Sequence, residues 1–129
     1  MPAPKVLVVD DDAESRGLIC EVLEANGYSV GAVEDGVAAR AALNRDEDYH
    51  IVIADLRMPK ETGLELLRNL RQQNAKQDII LMSSFISGPE RKFAQDLGVH
   101  VLLEKPFRLT ELLQAVGKLA SKKPIEITP

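Results

Sequence analysis

Five short apolar runs punctuate the sequence, each followed by a longer stretch with helical spacing. The runs are Val6–Val9, Tyr28–Val33, Ile51–Ala54, Ile79–Ser83 and Val99–Leu103. The first, third and fourth are near-continuous Val, Ile and Leu, as strands covered on both faces require. Tyr28–Val33 has Ser29 and Gly31 interleaved and reads as an edge strand. Leu18, Ile19, Val22 and Leu23 form one stripe, which stops at Asn26-Gly27. Gly36 to Arg45 is rich in alanine, and Leu64, Leu67 and Leu70 recur every third residue. Pro89 occupies a first-turn position ahead of Phe93, Ala94 and Leu97, with Gly98 as terminator. Leu109, Leu112, Leu113, Val116, Leu119 and Ala120 make the clearest amphipathic helix. This alternation predicts an α/β domain whose parallel strands are joined by right-handed crossovers. Five strands admit the doubly wound order 2-1-3-4-5, in which ligands sit at the carboxyl ends of strands 1 and 3, where the order reverses.

A chain of 129 residues suits one domain. That domain is expected over 5–120, with 121–129 as a C-terminal tail or linker stub. Apolar residues at 45% and charged residues at 28% describe a globular protein and exclude a disordered or low-complexity chain. A net charge of −4 argues against direct contact with nucleic acid or an anionic membrane. Cys20 is the only cysteine, which rules out an internal disulfide or a multi-cysteine zinc site and suits a small core residue. No apolar run approaches the roughly 20 residues of a membrane span. Met1 to Lys5 carries no apolar signal-like stretch, so the cytoplasm is the expected location.

The topology demands chemistry just after Val9 and just after Ala54, and both places carry acids. Asp10, Asp11 and Asp12 follow the first run, and Asp55 follows the third. Asp12, ahead of Ala13, reads as a helix cap. Two carboxylates about 4 Å apart repel by roughly 4 kcal/mol at an effective dielectric of 20. A cleft that gathers several needs raised pKa values or a cation. A hard ion held by a few carboxylates, waters and a phosphate oxygen is the pattern of Mg²⁺. Ser83 closes the fourth run and Lys105 follows the fifth, adding a hydroxyl and an ammonium to the same edge. Such a set suits phosphoryl transfer to a carboxylate nucleophile, with the cationic and hydroxyl groups on the phosphoryl oxygens. A carboxylate nucleophile carries no proton, so neither His50 nor His100 is needed as a base.

Together these residues resemble the receiver domains of two-component response regulators. The resemblance runs from Lys5 to Ala120 and rests on Val8-Val9-Asp10-Asp11-Asp12, Ala54-Asp55-Leu56-Arg57-Met58-Pro59, Met82-Ser83-Ser84 and Glu104-Lys105-Pro106-Phe107. It implies a flavodoxin-like three-layer sandwich. It implies that Asp55 accepts a phosphoryl group from a sensor histidine kinase or a phosphotransfer protein. Asp10, Asp11 and Asp55 would hold Mg²⁺ with the backbone carbonyl of Arg57. Ser83 would reach the phosphoryl oxygen, Lys105 would pair with it, and the Lys105-Pro106 bond would be cis. Partner binding would switch at the face made by the fourth helix, fifth strand and fifth helix, through which family members also form homodimers. Two departures stand out: Leu102 occupies the usual aromatic position of the switch, and Met58-Pro59-Lys60-Glu61-Thr62-Gly63 stands where a Gly-rich or Asp-containing turn is usual, with Gly63 kept.

Other classes fit less well. A magnesium-dependent phosphatase would want a second Asp where Arg57 stands. A flavodoxin-like cofactor binder would want a Ser/Thr/Gly-rich loop after the first strand, where Asp10-Asp11-Asp12 would repel a phosphate. A receiver-like interaction module working without phosphorylation remains the alternative, with Leu102 as its motive. No enzyme acting on a separate substrate is expected.

Overall fold

The computed structural model describes residues 4–122. Five strands alternate with five helices: β1 (Lys5–Val9), α1 (Ala13–Ala25), β2 (Ser29–Val33), α2 (Gly36–Arg45), β3 (Tyr49–Asp55), α3 (Gly63–Gln72), β4 (Asp78–Ser83), α4 (Gly88–Asp96), β5 (Val101–Glu104) and α5 (Leu109–Lys122). All neighbouring strands pair in parallel, in the order β2-β1-β3-β4-β5. This is the flavodoxin-like receiver architecture that the alternation and the motifs predict. Ser121 and Lys122 belong to α5, and the rest of the expected tail lies outside the described residues. Among the described residues no helix is long and apolar enough to cross a membrane.

Period-two alternation along the central strands builds two cores. Leu7, Val9, Val52, Ala54, Ile79 and Leu81 face α2, α3 and α4, where Ala39, Leu43, Leu66, Leu67, Leu70 and Ala94 are buried. Val6, Val8, Ile51, Ile53, Ile80 and Met82 face α1 and α5, meeting Ile19, Leu23, Leu112, Val116 and Leu119. Double coverage explains why these strands read as unbroken apolar runs. Cys20 is half-buried against the second core, and burial pushes its thiol pKa up, with Glu24 adding to the rise.

Two strand starts differ from the sequence pattern for one reason. Helices α1, α3 and α4 each end in a residue at positive φ: Gly27 at 92°, Asn74 at 56° and Gly98 at 78°. The next residue then donates its N–H back into the helix. Tyr28 bonds the Leu23 carbonyl at 3.1 Å, Ala75 that of Leu70 at 2.9 Å and Val99 that of Ala94 at 3.0 Å. These are Schellman caps. Tyr28 and Val99 are thus spent on caps, so β2 starts at Ser29 and β5 at Val101. The α1 stripe also changes: Ile19 and Leu23 are buried, whereas Leu18 is 51% exposed.

The glycines give a pair of opposite expectations. Gly27→Ala should lower stability by about 1–2 kcal/mol, because a Cβ penalises the left-handed conformation. Gly17→Ala, inside α1 with nothing within 4 Å of the added Cβ, should raise it by about 0.5–1 kcal/mol. Urea unfolding of both variants measures the contrast.

Candidate functional site

Strand register delivers the acidic residues. Val9 pairs with Ala54, so Asp10 and Asp55 leave adjacent strands side by side. Asp55 pairs with Met82, and Ser83 with Glu104, which carries the line across to Lys105. Backbone bonds extend the ladder past the strand ends: Asp10 N–H to Val33 O at 3.1 Å, Leu56 N–H to Met82 O at 2.7 Å and Lys105 N–H to Ser83 O at 2.7 Å. Oxygens of Asp10, Asp11 and Asp55 lie within 4.8 Å of one another.

Burial sharpens the electrostatics. Asp10 is 0% exposed and Asp55 7%, while Asp11 faces solvent. Asp10 Oδ1 accepts the Asp12 N–H at 3.0 Å, but Oδ2 is buried with no partner. Asp55 Oδ1 accepts the Arg57 N–H at 3.0 Å, and Oδ2 accepts from Lys105 Nζ at 2.7 Å. Partial burial pulls the Lys105 ammonium toward neutrality, but its hydrogen bond to Asp55 and the charges of Asp55, Asp10 and Asp12 outweigh that, and its pKa lies above the ordinary lysine value. One ammonium, bonded to Asp55 alone, therefore faces the cluster of Asp10, Asp11 and Asp55. The orphaned Asp10 oxygen and the hard-oxygen donor set fit a small divalent cation such as Mg²⁺.

The other sequence-predicted residues are placed as follows. Asp12 is the N-cap of α1, accepting the Glu14 N–H at 3.2 Å. Ser83 is 1% exposed, and its hydroxyl both donates to the Phe85 carbonyl at 2.9 Å and accepts the Phe85 N–H at 3.3 Å. The Lys105-Pro106 bond is cis. Leu102 pairs with Leu81 and is half-buried against the core beneath α2, α3 and α4. His100 sits at the opposite edge of the sheet, its Nδ1 accepting the Ile79 N–H at 3.0 Å and its Nε2 3.1 Å from Asp78. His50 is exposed beside Lys5, also away from the acids.

Long-range partners around the site had no signal in the sequence. Arg57 sends its guanidinium to both oxygens of Glu90 at 2.8 Å and to the Phe85 carbonyl at 3.2 Å. The hydrogen bonds from Arg57, helped by the Ser87 N–H, hold the Glu90 carboxyl down at about 2. Arg16 Nη1 donates to the Asp10 carbonyl at 2.8 Å, bracing the acidic loop. The unusual turn after β3 is pinned as well. Glu61 is buried, gripped by Arg40 at 2.9 Å through both oxygens and by Asn69 at 2.8 Å, while Lys60 takes a φ of 67°. Gly63 is required next to it, because an added Cβ would lie 2.5 Å from the Asp55 carbonyl.

Comparison with known proteins agrees with this geometry. The family model for the response regulator receiver domain matches residues 6–117. Protein PetR of Rhodobacter capsulatus is 35% identical over 125 residues, covering 97% of this chain and 52% of PetR. Response regulator MprA of Mycobacterium leprae is 37% identical over 115 residues, covering 89% of this chain and 50% of MprA. The chain thus spans about half the length of the curated relatives it matches. Among solved structures, the receiver domain of the Francisella response regulator 1452 gives a TM-score of 0.88 at 32% identity, over 94% of this chain and 99% of that one. Chemotaxis protein CheY4 of Vibrio cholerae gives 0.84 at 28%, over 91% and 98%. With these strand-end residues in place and the family model spanning nearly every described element, the chain belongs to the response regulator receiver domain family.

Crowding of like charge makes a direct prediction. Asp10→Asn keeps the size of the side chain, removes one buried negative charge and leaves Oδ1 to accept the Asp12 N–H. In the presence of a chelator this variant should unfold at a higher temperature than the unmutated chain, read by circular dichroism.

Proposed function

We propose that this domain accepts a phosphoryl group on Asp55, from a histidine kinase or a phosphotransfer protein, and thereby changes the binding surface formed by α4, β5 and α5. The observation that carries this reading is the Asp55 carboxylate itself: nearly buried, yet placed between two further acids and the Lys105 ammonium at the carboxyl edge of the sheet.

In the reaction, a carboxylate oxygen of Asp55 attacks phosphorus as the donor's phosphorus–nitrogen bond breaks. The leaving imidazole takes the bonding pair, and an acyl phosphate remains on Asp55. The Arg57 N–H on Oδ1 and Lys105 on Oδ2 fix the carboxylate's orientation beforehand. Lys105 then pairs with a phosphoryl oxygen instead of the carboxylate, so its charge stays where negative charge accumulates. Ser83 supplies a hydroxyl to another phosphoryl oxygen once it gives up the Phe85 carbonyl. Asp10, Asp11, Asp55 and the Arg57 carbonyl would hold Mg²⁺, which when bound supplies charge neutralisation for the phosphoryl oxygens. The domain assists only its own phosphorylation and dephosphorylation and turns over no separate substrate.

Partners follow from this role: a phosphodonor protein at the site, and a downstream target or a second copy of the chain at the α4–β5–α5 face. A bound phosphoryl group biases that face only by the difference in its interactions with the two states. Half-buried Leu102 has no aromatic ring to swing inward, so the response should be concentrated in residues 83–90.

A small phosphodonor with Mg²⁺ should add one phosphoryl group to the intact chain, seen by mass spectrometry, and a chelator should prevent it. Asp55→Asn should abolish labelling, and Lys105→Ala should keep the fold while weakening the response. Labelling of Asp55→Asn at an unchanged rate would contradict the assignment. An unlabelled native chain would favour an interaction module that works without phosphorylation.

A further inference from the structure

We infer that the Arg57 side chain is a positioning group that, together with Glu90, latches the β4–α4 loop and holds the Ser83 hydroxyl on the Phe85 carbonyl. The inference rests on the reading of Asp55 as phospho-acceptor and adds a regulatory contact to it.

The Phe85 carbonyl accepts two donors, the Ser83 hydroxyl at 2.9 Å and Arg57 Nη2 at 3.2 Å. A hydroxyl has one proton to donate. Ser83 can therefore turn its proton to a phosphoryl oxygen only by leaving Phe85. The guanidinium bonded to that carbonyl is itself fixed by two parallel bonds to Glu90, an arrangement stronger and more directional than a single ion pair. Glu90 is also built into α4: it is the third residue of a capping box, taking the Ser87 N–H at 3.0 Å while its own N–H bonds Ser87 Oγ at 3.2 Å. Arg57 thus fastens the segment just after the phospho-acceptor to the first turn of α4, with the Ser83 loop between. Within that loop Ile86 is buried, but Ser84 and Phe85 are exposed, Phe85 by 63%, so much of the hold on the loop is polar. Freeing the loop requires the Arg57 contact to Phe85 to break. Weakening the latch should favour the state in which Ser83 serves the phosphoryl group.

Two substitutions of opposite charge test this. Arg57→Met removes a cation near Asp55, and Glu90→Gln removes an anion while keeping an acceptor for the Ser87 N–H. With beryllium trifluoride and Mg²⁺ as the phosphoryl mimic, both should bind the mimic about two- to fivefold more tightly than the unmutated chain, the range expected for an exposed ion pair. Amide exchange over residues 84–90 should quicken in both. A bare charge effect would split the pair, since losing a cation weakens anion binding and losing an anion strengthens it. Opposite signs, weaker binding in both, or no change in either would overturn the latch. An unmutated chain that binds no mimic would instead overturn the phospho-acceptor reading. If Arg57→Met does not fold, Arg57→Lys keeps the charge without the bidentate geometry and should still tighten binding.

Discussion

One ammonium against three carboxylates is the constraint around which this domain is arranged. Lys105 reaches Asp55 from the end of β5, across the end of β4, and brings a single positive charge to a crevice that also holds Asp10 and Asp11. The hydrogen bond satisfies Asp55 and leaves the inner oxygen of Asp10 with no partner. A fold optimised for stability alone would not bury an unmatched acid, because an unpaired buried charge is costly. A small divalent cation among these acids would relieve the repulsion.

The sheet makes this crowding possible. Parallel strands in order β2-β1-β3-β4-β5 put the ends of β1 and β3 beside each other, and the helices leave by opposite faces. Both faces are packed with Val, Ile and Leu, so the strand ends are held by two cores at once. Protein interiors are dense and resist small displacements. The acids cannot relax apart by bending the strands. The loops between strand ends and helices absorb change instead, and the β4–α4 loop, with Ser84 and Phe85 in solvent, is one of them.

Much of this was legible before the structure. Unbroken apolar runs marked β1, β3 and β4, and the crossover rule then placed Asp10, Asp55, Ser83 and Lys105 on one edge. Asp12 caps α1 as its position suggests, and His50 and His100 lie away from the acidic cluster. The starts of β2 and β5 were misjudged because Tyr28 and Val99 are apolar and β-prone, yet their N–H groups close helix caps. Leu18 shares the apolar spacing of α1 but is rotated out of the core. Least visible were the polar partnerships. Arg57 and Glu90 are 33 residues apart, and Arg40 and Glu61 are 21 apart. No local pattern links such pairs, and only the folded register brings their charges together. Glu61 shows the point well: an acid in a surface turn reads as solvated, and it is buried because Arg40 and Asn69 enclose it.

The central claim is that the clustered acids form one cation site, and titrating Mg²⁺ into the isotope-labelled chain while following backbone amides by nuclear magnetic resonance tests it most directly. The account predicts saturable, single-site shifts concentrated at residues 10–12, 55–57 and 105, and their reversal by a chelator. Shifts that never saturate, or that scatter over the exposed acids with none at Asp10 and Asp55, would contradict it.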